Sequence, residues 1–140
     1  MRIIETATSI AELQQMISDR ARTVPDGEFI TCIGGWNRNG FAEQRLPTPA
    51  ELDDAAPRNP VYLSETGGGG QAVTNTSGIA FFQSQGVTVD PITEILSPAQ
   101  GLAALQAVQT EEDKQRGTIE VMDFASSLGL TMIHDHGGLS

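Results

Sequence analysis

The stretch PTPAELDDAAPRNPVYLSE, residues 47–65, holds a complete helix opening followed by a strand opening. The Thr48 hydroxyl is placed to accept from the first free backbone N–H groups. Pro49 has the fixed φ of a first helical position. Glu51 follows Thr48 by three residues, where its carboxylate reaches back to the cap. The spacing predicts one short helix over TPAELDDAA. Pro60 cannot donate to a ladder and so fits at a strand's first residue, which makes NPVYLSE a strand. A strand fed by a helix is half of a β–α–β unit, and the other half is sought upstream.

It is found in EFITCI, residues 28–33, whose β-branched and aromatic side chains predict a strand. PDG, residues 25–27, supplies the turn before it, and GGWNRNG the loop after it. Further upstream, Ser9 and Glu12 form a capping-box signal ahead of Ile10, Leu13, Met16 and Ile17 at helical spacing. Downstream, VTNTSGIAFFQSQG predicts a short helix opened by Asn75 or Thr76 and stopped at Gly86, with Phe81 and Phe82 as core. DPITEILSPAQ reads as loop up to Ser97 and Pro98, which open an amphipathic helix with Leu102, Leu105 and Val108 on one face. A long helix, capped by Thr110 and ended by Gly129, carries a core stripe of Ile119, Met122, Phe124 and Ala125. LTMIHD, residues 130–135, predicts a third strand. The order α–β–α–β–α–α–α–β implies crossover connections. The expectation is one α/β domain over residues 1–140, built on a small open, mostly parallel sheet with helices. In such sheets functional groups gather beyond the C-terminal strand ends, which here carry GGWNRN, SETGGGG and HDHGG.

Composition narrows the function classes. Eighteen acidic against eight basic residues give a net charge of −10, a surface that repels phosphate backbones and anionic lipid. No nucleic-acid or membrane partner is therefore expected. One cysteine, Cys32, rules out an intrachain disulfide, and its place in FITCIGG reads as a core thiol. No apolar run reaches the length of a membrane span, and MRIIETATSIAEL lacks a continuous apolar signal-peptide segment; a cytoplasmic location is the expectation. TGGGGQ, residues 66–71, has no following lysine and lies in acidic surroundings, so it does not read as a phosphate loop. The carboxylate pairs in ELDD and EEDK sit at helix starts, where they complement the dipole. No G-x-S-x-G nucleophile elbow occurs.

His134, Asp135 and His136 form the sharpest local signal. Residues two apart on a strand face one side, so both imidazoles can address one metal ion. Zinc takes three or four protein ligands, and these are the chain's only histidines. The remaining ligands would have to be carboxylates such as Asp135 or Glu65. The alternative is an imidazole pair bonded to backbone at a strand end.

GGWN, RLPTPAELDDAAPRNPVYL, AVTNTSGIAFFQSQGV and GLTMIHDHGG together resemble the metal-dependent amidohydrolase family 3, the TIM-barrel hydrolases similar to N-substituted formamide deformylases. The resemblance runs from about Ser9 to Gly138. It implies a partial TIM barrel: the helix after the first barrel strand, an insertion that shapes the substrate pocket, and the next barrel strand at LTMIHDHGG. On this alignment the family's metal-binding His-x-His lies upstream, so His134 and His136 do not take those positions. Trp36, Asn37, Gly69, His134 and Asp135 would line the substrate side, and no catalytic residue is expected in the chain. The family uses a divalent metal, zinc; this chain alone is expected to hold none. A TIM barrel needs eight strands and about 250 residues. The expected partner is therefore the remainder of the enzyme or a second copy of the chain in a homodimer. The reading that follows is a segment of a hydrolase of amide-type C–N bonds, inactive alone. The alternatives are a stand-alone binding or assembly module, and a small metallo-hydrolase with a His134/His136 site.

Overall fold

In a computed structural model of the chain, residues 6–65, 70–90, 93 and 95–132 are described. The chain forms two compact units, Met1–Ala104 and Leu105–Ser140.

The first unit is built around β1 (Ile30–Ile33) and β2 (Val61–Ser64), a parallel pair in the register Ile30↔Val61 to Ile33↔Ser64. The ladder continues past both ends, with Ile30 N–H donating to Pro60 O and Gly34 N–H to Ser64 O, each at 2.8 Å. Helix α1 (Ile10–Ala21) leads into β1, and α2 (Pro49–Ala55) crosses over to β2, the β–α–β unit expected from the sequence. Both helices lie against one face of the sheet. Ile10, Leu13 and Ile17 of α1 and Leu52 and Ala55 of α2 form one buried cluster with Ile30, Cys32, Val61, Leu63 and Val73. At α2 the expected capping box is complete: Glu51 N–H donates to Thr48 Oγ1 at 3.3 Å and Thr48 N–H to Glu51 Oε2 at 2.8 Å. At α1 it is shifted by one residue. Ser9 Oγ accepts from Glu12 N–H, but the Glu12 carboxylate reaches Thr8 N–H instead of its own cap.

The other face of β2 is covered too, so all of its residues are buried, the pattern of a strand with layers on both sides. Tyr62 points away from α1 and α2. Its ring meets Phe82 of α3 (Thr76–Ser84) at 5.4 Å, and its hydroxyl donates to Pro98 O at 3.0 Å. Phe29, Phe81 and Phe82 extend this second layer edge to face.

The sheet is open and α/β, but the mostly parallel pairing is corrected. Two short strands, β3 (Ala72–Thr74) and β4 (Ile95–Leu96), complete the order β1-β2-β3-β4, and both join antiparallel. The link between β2 and β3 spans only residues 65–71, too few for the crossover that a parallel partner requires. β3 and β4 fall in segments read as the lead-in to a helix and as loop. At three and two residues neither is long enough to display an alternating pattern.

Two buried asparagines lock the layers together. Asn75 caps α3, accepting from Gly78 N–H at 3.1 Å and Val61 N–H at 3.0 Å, while its amide donates to Asn59 O and Ala56 O. Asn59 in turn donates to Pro25 O and Glu28 O. These bonds tie β2, α3 and the turn before β1 into one polar lattice with its donors satisfied, which is what a buried amide requires.

Helix α4 (Pro98–Val108) starts in the first unit and ends in the second, where α5 (Glu111–Ser127) follows. The start of α5 is a full capping box between Thr110 and Asp113. It ends as expected at Gly129, whose positive φ of 79° lets Leu130 N–H return to Ala125 O at 3.0 Å. Of the expected α5 stripe only Ala125 is buried; Ile119, Met122 and Phe124 are exposed. Leu130 to Met132 carry no strand, and the rest of the expected third strand lies outside the described residues.

Candidate functional site

The loop after β1, residues 34–41, leaves the C-terminal edge of the parallel pair and is the best-defined part of the expected site. Gly34 and Gly35 both have positive φ, 73° and 82°, a sequence of conformations that a side chain would strain. After this double turn the side chains part, Trp36 to the core cluster, Asn37 to solvent and Arg38 to Glu65.

Trp36 is 5 % exposed and packs into the α1 and α2 cluster, stacked on Phe41 with centroids 5.6 Å apart. Its Nε1–H is buried and has no hydrogen-bond partner among the described residues, a condition that costs about 1–3 kcal/mol when left uncompensated. Asn37 is exposed, and its Oδ1 accepts from Asn39 N–H at 3.0 Å, capping a single 3-10 turn over Arg38–Gly40. Arg38 turns back to the sheet. Its Nε donates to Glu65 Oε1 at 3.0 Å, its backbone N–H to the same oxygen at 2.8 Å, and its Nη2 to Glu65 Oε2.

Glu65, the residue after β2, is the anchor. Its side chain is only 1 % exposed, while that of Arg38 is 29 % exposed. Gln71 N–H completes the set at 3.2 Å to Oε2, and Glu65 N–H donates to Gln71 O at 3.1 Å. Burial works against the charged carboxylate, but the Arg38 guanidinium and the Arg38 and Gln71 backbone N–H groups outweigh it and hold Glu65 below the ordinary carboxylate range. The sequence offered Glu65 as a metal ligand. In the fold its lone pairs are committed to Arg38 and Gln71, and sequence spacing gave no sign of that long-range pairing.

His134, Asp135, His136 and Gly69 lie outside the described residues. Among the described residues no group of three or more His, Cys, Asp or Glu side chains is arranged to hold a metal ion. Cys32 is buried, its Sγ 3.7 Å from Gly34 O. An open depression of about 480 Å³ lies near β4, lined by Gly70, Gln71, Asp90, Ile95 and Pro98 among others. No helix among the described residues is long and apolar enough to cross a membrane.

The chain belongs to the amidohydrolase family, whose sequence model matches residues 2–140. It is similar to the protein LONG AFTER FAR-RED 3 of Arabidopsis thaliana, 32% identical over 81 residues, which are 58% of this chain and 13% of that protein. It is also similar to the N-substituted formamide deformylase of Arthrobacter pascens, 34% identical over 55 residues, 39% of this chain and 10% of that enzyme. The matched stretches thus span about an eighth and a tenth of these relatives. No solved structure gives a significant match.

Proposed function

We propose that this chain is a segment of a metal-dependent hydrolase acting on amide-type C–N bonds, contributing walls of the substrate pocket without the family's metal ligands. The family match over residues 2–140, joined by the similarity to a formamide deformylase, carries this reading. The loop after β1 is the wall: Asn37 is its open surface, Trp36 its buried footing, and the Arg38–Glu65 bonds hold it to the sheet edge. The family resemblance adds Gly69, His134 and Asp135 to the substrate side, and all three lie outside the described residues. In the whole enzyme a divalent ion, zinc, supplies an activated water, held by residues other than those described.

The remainder of the enzyme, or a second copy of the chain, completes the site, and the setting is cytoplasmic. The exposed apolar side chains Ile119, Met122 and Leu128 support a partnered state. The purified chain, supplied with zinc and N-substituted formamides, is expected to show no hydrolysis. A zinc-dependent rate that disappears in His134→Ala overturns this reading in favour of a self-contained metallo-hydrolase. Sedimentation is expected to show self-association at micromolar concentration.

A further inference from the structure

The loop after β1 and the stem of the β2–β3 hairpin meet at one side chain. From one side, Arg38 N–H and Nε donate to Glu65 Oε1, and Arg38 Nη2 donates to Oε2. From the other side, Gln71 N–H donates to the same Oε2 at 3.2 Å. Gln71, with Gly70, also lines the depression of about 480 Å³ beside β4. The carboxylate therefore stands between the loop that carries Trp36 and one wall of that depression.

We propose that Glu65 is a positioning residue that makes the loop after β1 and the Gln71 wall of the depression open as a single unit, so that displacing either loosens the other. The two sides share Oε2, and a rotation of the Glu65 side chain breaks bonds to both at once. The Glu65 side chain is only 1 % exposed. A carboxylate buried to that degree turns to water or takes up a proton when its cation is lost. In either case Gln71 N–H loses its charged acceptor. Coupling of this kind is reciprocal between the two sides. It concerns how the loop is held and stands whether or not the loop faces a hydrolase substrate.

Backbone hydrogen exchange of the full chain, read by NMR, tests the coupling, because local opening exposes amides in cooperative groups. Arg38→Lys keeps a positive charge but loses the planar fork. It is expected to lower the protection of the Gln71 amide, across the carboxylate from the substitution, by at least about tenfold, the scale of one bond to a charged group. The reference is Val73, buried in the same ladder, so a general loss of stability cancels in the ratio. Glu65→Gln keeps the size of the side chain but has one accepting oxygen, and its NH2 faces whichever donor that oxygen does not serve. Arg38 and Gln71 amides are expected to lose protection together in this variant, again relative to Val73. A loss confined to Arg38 in either variant, with Gln71 at its wild-type ratio to Val73, overturns the proposal.

Discussion

Arg38 and Glu65, twenty-seven residues apart, are joined by three hydrogen bonds, two from the guanidinium and one from the Arg38 backbone. The pair is asymmetric, because the carboxylate is buried and the guanidinium is partly open to water. Arg38→Ala therefore strands a charge in the interior and is expected to cost about 3–5 kcal/mol. Glu65→Ala leaves a guanidinium that water can reach and is expected to cost less. Urea unfolding of both variants gives the comparison, and a Glu65→Ala midpoint at or below that of Arg38→Ala would contradict the asymmetry.

Acid is expected to weaken the fold in a defined window. Glu51 is lowered from 4.5 to about 2, first by its bonds to Arg45 and then by the Thr48 cap that offsets its partial burial. Glu65 is lowered as well. A depressed carboxylate contributes stability that is fully present above its unfolded value and is lost as pH falls through the folded value. Stability should thus be flat at neutral pH and decline between about pH 4.5 and 2. Arg45→Ala should flatten part of that decline in a pH series of thermal melts.

Gly78 and Gly101 are sites of close approach. A Cβ at Gly78 would overlap Thr74 Oγ1, which donates to Val61 O at 2.5 Å, and one at Gly101 would lie 2.6 Å from the Tyr62 ring. Alanine at either is expected to cost about 1–3 kcal/mol by overpacking. Gly117, inside α5 with nothing near its Cβ direction, is the opposite case. Alanine there is expected to stabilise α5 by about 0.5–1 kcal/mol. Melting temperatures of the three variants should order accordingly.

Asn75→Asp keeps the oxygen that receives Val61 and Gly78 and exchanges the donating nitrogen for an oxygen facing Ala56 O and Asn59 O. Attraction becomes repulsion in a buried setting, and a loss of about 3 kcal/mol is expected. Asn75→Asp with wild-type stability at pH 7 would show that the lattice is dispensable.

What the sequence revealed follows from the range of each interaction. The caps Ser9, Thr48 and Thr110 and the turn at Gly129 act within a few residues, and all form. β1 and β2 declare themselves because buried β-branched runs are local too. β3 and β4 do not: they are held by register with β2 across the sheet, and no residue within them announces a strand. The site divides the same way. Trp36 and Asn37 stand out in GGWN, yet the bonds that fix their loop come from Glu65, which the sequence offered only as one of two carboxylates that could complete a metal site. The reach from Arg38 to Glu65 is tertiary, and no spacing rule encodes it.

The hairpin between β2 and β3 is closed by Glu65 and Gln71, which exchange a backbone bond and a carboxylate bond. The Glu65 carboxylate thus adds a side-chain bond at the stem to the backbone pairs Tyr62↔Thr74, Leu63↔Val73 and Ser64↔Ala72. One carboxylate therefore braces both the hairpin stem and the loop after β1, so a change at Glu65 reaches the two together.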